Sequence, residues 1–250
     1  MPKPSQPVSS VTSAATPEVR VNHWFITLFR PIYWLFIHSF FKISMLGKEN
    51  IPSSGPVLLV PTHRSRWDPV LMGDLTPRIL RFMASQDEFV GTQGFCMKLF
   101  GAFPVNTGRP SPTTLKTCVS ILKRGDLLVI FAEGTIFYYP PDNVHPLRPG
   151  AAWLALKVQN EMPGTSLKVV PVRVRYSVIR PKFRDGAQLQ AYPAIDVSKY
   201  LDRPDKQAIA DLTADIQAGM GDILNTSKEE MLKPVHELKP GGKRKSYGRV

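Results

Sequence analysis

Two unbroken apolar runs, each stopped by a sharply polar turn, constrain this chain more than any other feature. Residues 127–131 (LLVIF) lead into Ala132-Glu133-Gly134-Thr135, and residues 55–60 (GPVLLV) lead into Pro61-Thr62-His63-Arg64-Ser65-Arg66-Trp67-Asp68-Pro69. A continuous apolar run fits a strand covered on both faces, as in a parallel sheet between helices. Parallel strands place the turns that follow them on the same sheet edge, which is where ligands bind in open α/β sheets. The two polar turns, far apart in sequence, can therefore face one cleft. A histidine at the carboxyl end of a strand, five residues before a carboxylate, can have its ring oriented and made more basic, as a general base for a hydroxyl requires. The same ten residues also read as a loop histidine followed by a helix cap, with Asp68 as N-cap and Pro69 at the first helical position. The shared edge favours the general base.

The rest of the chain alternates strand and helix. Residues 43–46, 79–83, 101–106 and 169–174 read as further strands, and 189–192 as an edge strand. Residues 69–75, 150–158 and 206–224 read as helices, and 89–100, where glycines interrupt apolar residues, as broken helix. Ser111-Pro112 caps an amphipathic helix with Leu115, Cys118, Val119 and Leu122 on one face and Gly125 at its end. The pattern predicts an α/β fold, a mainly parallel or mixed β-sheet flanked by helices, over residues 44–224. A chain of 250 residues can bury one such core.

Outside that domain the composition changes. Residues 1–20 are rich in Ser, Thr, Pro and Ala and lack the basic and apolar regions of a secretory signal, so a disordered leader is expected. Residues 225–250 turn polar and basic, ending Lys243-Arg244-Lys245 before the last few residues, and are expected to be a disordered tail. Between leader and domain, residues 21–43 hold Trp24, Phe25, Phe29, Tyr33, Trp34, Phe36, Phe40 and Phe41. Arg30-Pro31 is expected to divide this stretch into two short helices. The uncharged run 31–41 is eleven residues, against about twenty needed to span a bilayer. An aromatic helical pair anchored in one leaflet is expected, because Trp and Tyr favour the membrane interface; a buried hairpin and a single tilted span are the alternatives.

The charge of +12 favours anionic partners: nucleic acid, anionic lipid headgroups or an acidic carrier protein. No nucleic-acid-binding motif is apparent, and a non-catalytic basic protein would leave both loaded turns unexplained. Cys96 and Cys118 match no metal or redox spacing and read as buried apolar residues of a reducing compartment. The five histidines show no ligand spacing, so no metal site is expected.

Four blocks across about residues 45–175 resemble, in order, the glycerolipid acyltransferase family, whose best-known members acylate 1-acylglycerol-3-phosphate. His63-Arg64-Ser65-Arg66-Trp67-Asp68 resembles its His-x4-Asp block. Gly101-Ala102-Phe103-Pro104-Val105-Asn106 resembles the second block, Phe131-Ala132-Glu133-Gly134-Thr135 the third, and Val169-Val170-Pro171-Val172 the fourth. Three positions depart from the pattern. Thr107 and Ile136 stand where the family usually has arginine, and Ala132 stands where it has proline.

The resemblance implies a membrane-associated O-acyltransferase on the cytoplasmic face. It would move a fatty acyl group from acyl-CoA or acyl carrier protein to a lysophospholipid, most simply 1-acylglycerol-3-phosphate, without a cofactor. His63 would take the hydroxyl proton while Asp68 holds the imidazole. Glu133, Gly134 and Thr135 would shape the acceptor site. Arg109, Arg148, Arg64 and Arg66 are the candidates to grip an acceptor phosphate in place of the two missing arginines. No Gly-x-Ser-x-Gly elbow is present and neither cysteine has a base nearby in sequence, so direct transfer is the simpler expectation. A transacylase taking its acyl group from another phospholipid is a related alternative. The six basic residues from Lys168 to Arg184 (Lys168, Arg173, Arg175, Arg180, Lys182, Arg184) read as a docking face for anionic lipid, carrier protein or coenzyme A phosphates, or as a solvated strand edge. Oligomeric state is left open.

Overall fold

The computed structural model describes residues 23–106, 111–136, 144–178 and 180–221. The expected leader and basic tail lie outside these residues. The strands are β1 (Lys42–Leu46), β2 (Val57–Pro61), β3 (Leu80–Ser85), β4 (Ala102–Val105), β5 (Leu127–Val129), β6 (Lys168–Tyr176), β7 (Gly186–Ala191) and β8 (Ile195–Asp196). They form one mixed sheet of order β1-β7-β6-β2-β5-β3-β4, with β8 paired to the start of β6. From β6 to β4 every pairing is parallel, while β7 runs antiparallel to β6 and parallel to β1. The expected mainly parallel or mixed sheet flanked by helices is what the chain forms.

Helices α1 (His23–Phe40), α2 (Asp68–Met72) and α3 (Gly91–Leu99) cover one face, and α4 (Pro112–Lys123), α5 (Gly150–Asn160) and α6 (Asp205–Gly221) the other. The alternation of each strand divides the core accordingly. Val57 and Leu59 of β2 and Val170, Val172 and Val174 of β6 pack with Leu71 and Met72 of α2. Leu58 and Val60 of β2 and Val169 of β6 pack with Cys118 and Ile121 of α4 and Leu212 and Ile216 of α6. Helix α4 starts as its sequence predicts, with the Ser111 hydroxyl accepting from the Thr114 N–H at 3.1 Å.

Four expectations are corrected. Residues 189–192 are not an edge strand: β7 lies inside the sheet, because the strand that follows α1 adds to its outer side with Lys42 opposite Gly186. Residues 91–99 form one helix despite Gly94, whose bare Cα lies against the backbone of Phe89, where an added Cβ would come within 2.4 Å. The helical pair at 21–43 is one helix that continues through Pro31. Tertiary bonds on both sides of the proline outweigh its local cost. Arg30 donates to the Thr76 carbonyl at 2.9 Å and the Pro77 carbonyl at 2.7 Å, Tyr33 donates to the Val70 carbonyl, and His38 pairs with Asp74 at 3.0 Å. No helix among the described residues is long and apolar enough to cross a membrane, so the tilted span finds no support there.

The fourth correction concerns the basic run from Lys168 to Arg184, which is no single exposed face. β6 lies between β7 and β2, so Arg173 and Arg175 are buried by the layers beside them; Arg173 donates to the Met220 carbonyl at 3.0 Å. Lys168 pairs with Asp196 at 2.6 Å.

Candidate active site

β2 ends at Pro61, and the chain turns at the carboxyl edge of the sheet into α2. Thr62 binds this turn to the neighbouring strand: its N–H donates to the Val172 carbonyl at 2.9 Å, and its hydroxyl accepts from the Val174 N–H at 2.9 Å. Asp68 is the first residue of α2 rather than its N-cap, which is Trp67. Its carboxylate turns back over the loop instead of capping the helix. Oδ2 accepts from the Arg64 N–H at 2.6 Å, the Ser65 N–H at 2.8 Å and the His63 ring at 2.8 Å. Oδ1 accepts from the Tyr176 hydroxyl at 2.6 Å.

These bonds assign the histidine tautomer. Oδ2 already accepts two backbone N–H groups, so the carboxylate is the acceptor and Nδ1 of His63 is the donor. Nε2 is left with its lone pair, the form a proton acceptor needs. The His63 ring stacks on Phe131 with centroids 4.2 Å apart and planes 26° from parallel. Asp68 is fully buried, while the His63 side chain keeps 17% of its surface. The imidazole can thus be reached from outside, while the carboxylate that orients it cannot.

The second turn meets the first as the strand order predicts. β5 lies beside β2, with Leu59 opposite Val129, and the Ile130 N–H donates to the Leu59 carbonyl at 3.0 Å. Glu133 is buried, and its Oε1 lies 3.5 Å from Nη2 of Arg64. Burial raises the Glu133 carboxyl above the ordinary glutamate range, and the Arg64 charge draws it part of the way back. Gly134 has φ +84°, and a Cβ there would lie 2.5 Å from Cζ and Nε of Arg148. Only glycine combines that backbone with so close a guanidinium. The Arg148 N–H also donates to the Ala132 carbonyl at 2.9 Å, closing the 144–149 loop over the turn.

The edge therefore gathers His63, Asp68, Arg64, Glu133, Gly134 and Arg148. Thr135 is exposed beside them. Arg66 is turned outward to Glu88, at 3.2 Å, and Arg109 and Thr107 lie outside the described residues. Of the arginine candidates, Arg64 serves Glu133 and Arg66 serves Glu88. Arg148 is the one whose guanidinium has no carboxylate partner among the described residues.

Sequence reading missed Tyr176 and the stacking of Phe131. For Tyr176 a signal existed: the alternation Val170, Val172, Val174, Tyr176 puts the phenol on the α2 side of the sheet. The two thiols part company. Cys96 is exposed, contrary to expectation, because α3 turns that side away from the sheet. Cys118 is buried, and burial pushes its thiol up to about 12, which deprives it of thiolate character at neutral pH.

Comparison with known proteins points to one family. The family model described as Acyltransferase matches residues 42–175, which include every residue of the cluster. A 1-acyl-sn-glycerol-3-phosphate acyltransferase of Bacillus subtilis is 30% identical over 115 residues, 45% of this chain and 56% of the relative. One from Streptococcus pneumoniae is 36% identical over 81 residues, 31% of each chain. The chloroplastic LPAT1 of Arabidopsis thaliana, of the same description, is 30% identical over 131 residues, 46% of this chain and 36% of its own. The matches thus span about half or less of the length of these curated relatives. The crystal structure of the 1-acyl-sn-glycerophosphate acyltransferase PlsC from Thermotoga maritima shares the fold, with TM-score 0.53 and 16% identity over 82% of this chain and 80% of that one.

Proposed function

The chain belongs to the Acyltransferase family, and on that premise we propose that it transfers a fatty acyl group from an acyl thioester to the hydroxyl of a lysophospholipid, 1-acylglycerol-3-phosphate first among the acceptors. The carrying observation is the oriented His63 imidazole, Nδ1 to Asp68 at 2.8 Å, at the edge that also bears Arg148. Nε2 accepts the acceptor hydroxyl proton as its oxygen attacks the thioester carbonyl. The tetrahedral intermediate then expels the thiolate, which recovers that proton from the imidazolium, giving an ester and a free thiol. Backbone N–H groups or arginine at this edge would stabilise the oxyanion. Asp68 keeps the ring in its productive tautomer. Arg148, resting on Gly134 two residues before Ile136, supplies the charge that the family carries after its Glu-Gly-Thr, and its planar fork suits a phosphate. Glu133 holds Arg64 in place rather than reaching the acceptor itself, because it is buried against that side chain.

The substrate is a lipid, and α1 supports a site at a membrane surface. One side of the helix is bonded to the domain through Arg30, Tyr33 and His38, and the other exposes Trp24, Leu28, Ile32 and Leu35. Val90, Phe95 and Phe100, in and beside α3 in the same layer, are exposed as well. A helix of 18 residues lying flat can insert this face into one leaflet. Replacing Trp24, Ile32 and Leu35 together by serine should reduce flotation with vesicles containing phosphatidylglycerol about tenfold; flotation equal to that of the unmodified protein removes the membrane reading.

Thioester release tests the reaction itself. Acyl-CoA and acyl carrier protein serve as donors, with lysophosphatidic acid supplied or withheld. Release that requires the acceptor supports the proposal. Lack of release from folded protein with either donor sinks it, and a phospholipid donor then tests for a transacylase.

A further inference from the structure

We propose that Tyr176 is a positioning residue for the His63–Asp68 pair, and that its hydroxyl fixes the Asp68 carboxylate and limits how strongly that carboxylate holds the imidazolium. This rests on the acyl-transfer reading of the same site.

The two oxygens of Asp68 are used differently. Oδ2 serves the loop and the base, taking His63 Nδ1 and the N–H groups of Arg64 and Ser65. Oδ1 takes the Tyr176 hydroxyl from the far side, across 108 positions of sequence. The donor sits on rigid structure. Tyr176 is the last residue of β6, opposite Ala187 of β7, and the next residue, Ser177, ties its N–H to the Gly186 carbonyl at 2.9 Å. Its ring is buried and packs against Phe41 at 6.2 Å between centroids. A carboxylate held at both oxygens cannot rotate, so the ring it bonds is fixed as well. A bond of 2.6 Å to an ionised acceptor also draws charge out of the carboxylate. Less charge on Asp68 means weaker attraction for the imidazolium, so His63 returns its proton to the leaving thiolate more readily.

Burial, reinforced by the Asp68 charge and the hydrogen bond to it, keeps the Tyr176 phenol protonated well above its ordinary range, despite the opposing contribution of the Ser65 hydroxyl. Tyr176 is therefore a donor at neutral pH. The other charged groups at this edge are the Arg64–Glu133 pair, His145, whose charge acts on Glu133, and Arg148 over Gly134. Glu133 approaches from the β5 side, Arg64 from the turn after β2 itself, and His145 and Arg148 from the 144–149 loop.

The test is Tyr176→Phe in the full chain, which keeps the ring and removes the hydroxyl. Phe41→Leu loosens the same packing and leaves the bond in place. With the acyl donor and lysophosphatidic acid, Tyr176→Phe should lower kcat about tenfold with KM within about twofold, as loss of one such bond predicts. The acidic limb of its kcat/KM profile should move up by about half a pH unit, because a carboxylate freed of one donor favours the imidazolium. The His63 ring titration followed by NMR should move in the same direction, and this readout does not require turnover. Phe41→Leu should lower Tm without moving either. A Tyr176→Phe protein whose pH profile and ring titration overlay those of the unmodified protein overturns the inference, as does an equal shift in Phe41→Leu. A displaced titration in a protein that transfers no acyl group supports the positioning role and instead rejects the acyl-transfer reading.

Discussion

The turn after β2 and the turn after β5 follow neighbouring parallel strands and meet at one edge, but they are held by different means. Around Asp68, four donors converge on one buried carboxylate at 2.6–2.8 Å. Around Glu133, the nearest charge to a buried carboxylate is a guanidinium at 3.5 Å, helped by the His63 backbone and the His145 charge, and Gly134 leaves room for a second guanidinium, Arg148. Short hydrogen bonds fix direction, which proton transfer requires. Charge at a distance fixes sign more than orientation, which suits binding an anion. That difference is why we propose base chemistry for the first turn and acceptor binding for the second.

The largest effects should come from breaking the first turn. His63→Ala is expected to cost about 10³-fold in kcat while Tm stays within a few degrees, because loss of the ring leaves Asp68 with its other donors. Asp68→Asn should cost about 10²-fold and also lower stability by about 2–4 kcal/mol, since an amide cannot accept all the donors the carboxylate accepts. Steady-state kinetics with parallel melting curves separate the two. Equal stability losses in both variants would mean that the first turn is structural only.

An intermediate effect should come from the second turn. Gly134→Ala displaces the Arg148 guanidinium and strains a left-handed backbone, and Arg148→Ala removes the charge. Both should raise KM for a phosphate-bearing acceptor about tenfold, with a smaller change in kcat. Unchanged KM for lysophosphatidic acid in Arg148→Ala removes Arg148 from the acceptor site.

The smallest effect sharpens the contrast through pH. Glu133 has a folded-state pKa raised by burial, so the folded protein holds its proton more tightly than the unfolded chain does. Its contribution to stability therefore declines as pH rises from the ordinary glutamate value through the raised one. The Tm difference between the unmodified protein and Glu133→Gln should move toward the variant over that rise. Asp196 should behave oppositely. Burial opposes its ionisation, but bonds from Lys168, Ser166 and Ser198 outweigh this and hold it well below the ordinary range. Its contribution is present above the usual aspartate value and fades as pH falls toward the depressed one, so Asp196→Asn should matter least in acid. Melting curves from pH 3 to 7 test both signs; parallel slopes for the two variants would refute the assignment.

Much of the fold could be read locally. The runs at 55–60 and 127–131 are apolar on both sides, so they had to be covered strands. Parallel strands carry their turns to one edge, which by itself places His63 and Glu133 together. The Ser111-Pro112 start and the apolar stripe of α4 depend only on neighbours in sequence. The continuation of α1 through Pro31 could not be read this way, because the bonds that hold it come from Val70, Asp74, Thr76 and Pro77. Nor could the burial of Arg173, which depends on α6 lying over it and taking its guanidinium at the Met220 carbonyl.

The sequence by itself determined that His63 and Asp68 would stand together, because a five-residue spacing at a strand end is a local property. It also determined that glycine must stand at position 134, where the third block calls for it. Only the tertiary structure decided which arginine lies against Gly134, that Glu133 faces Arg64, and that Tyr176 bonds the Asp68 carboxylate. Those are long-range pairings. Their partners are chosen by strand order and by which face of β6 each side chain takes, and no spacing along the chain encodes that choice.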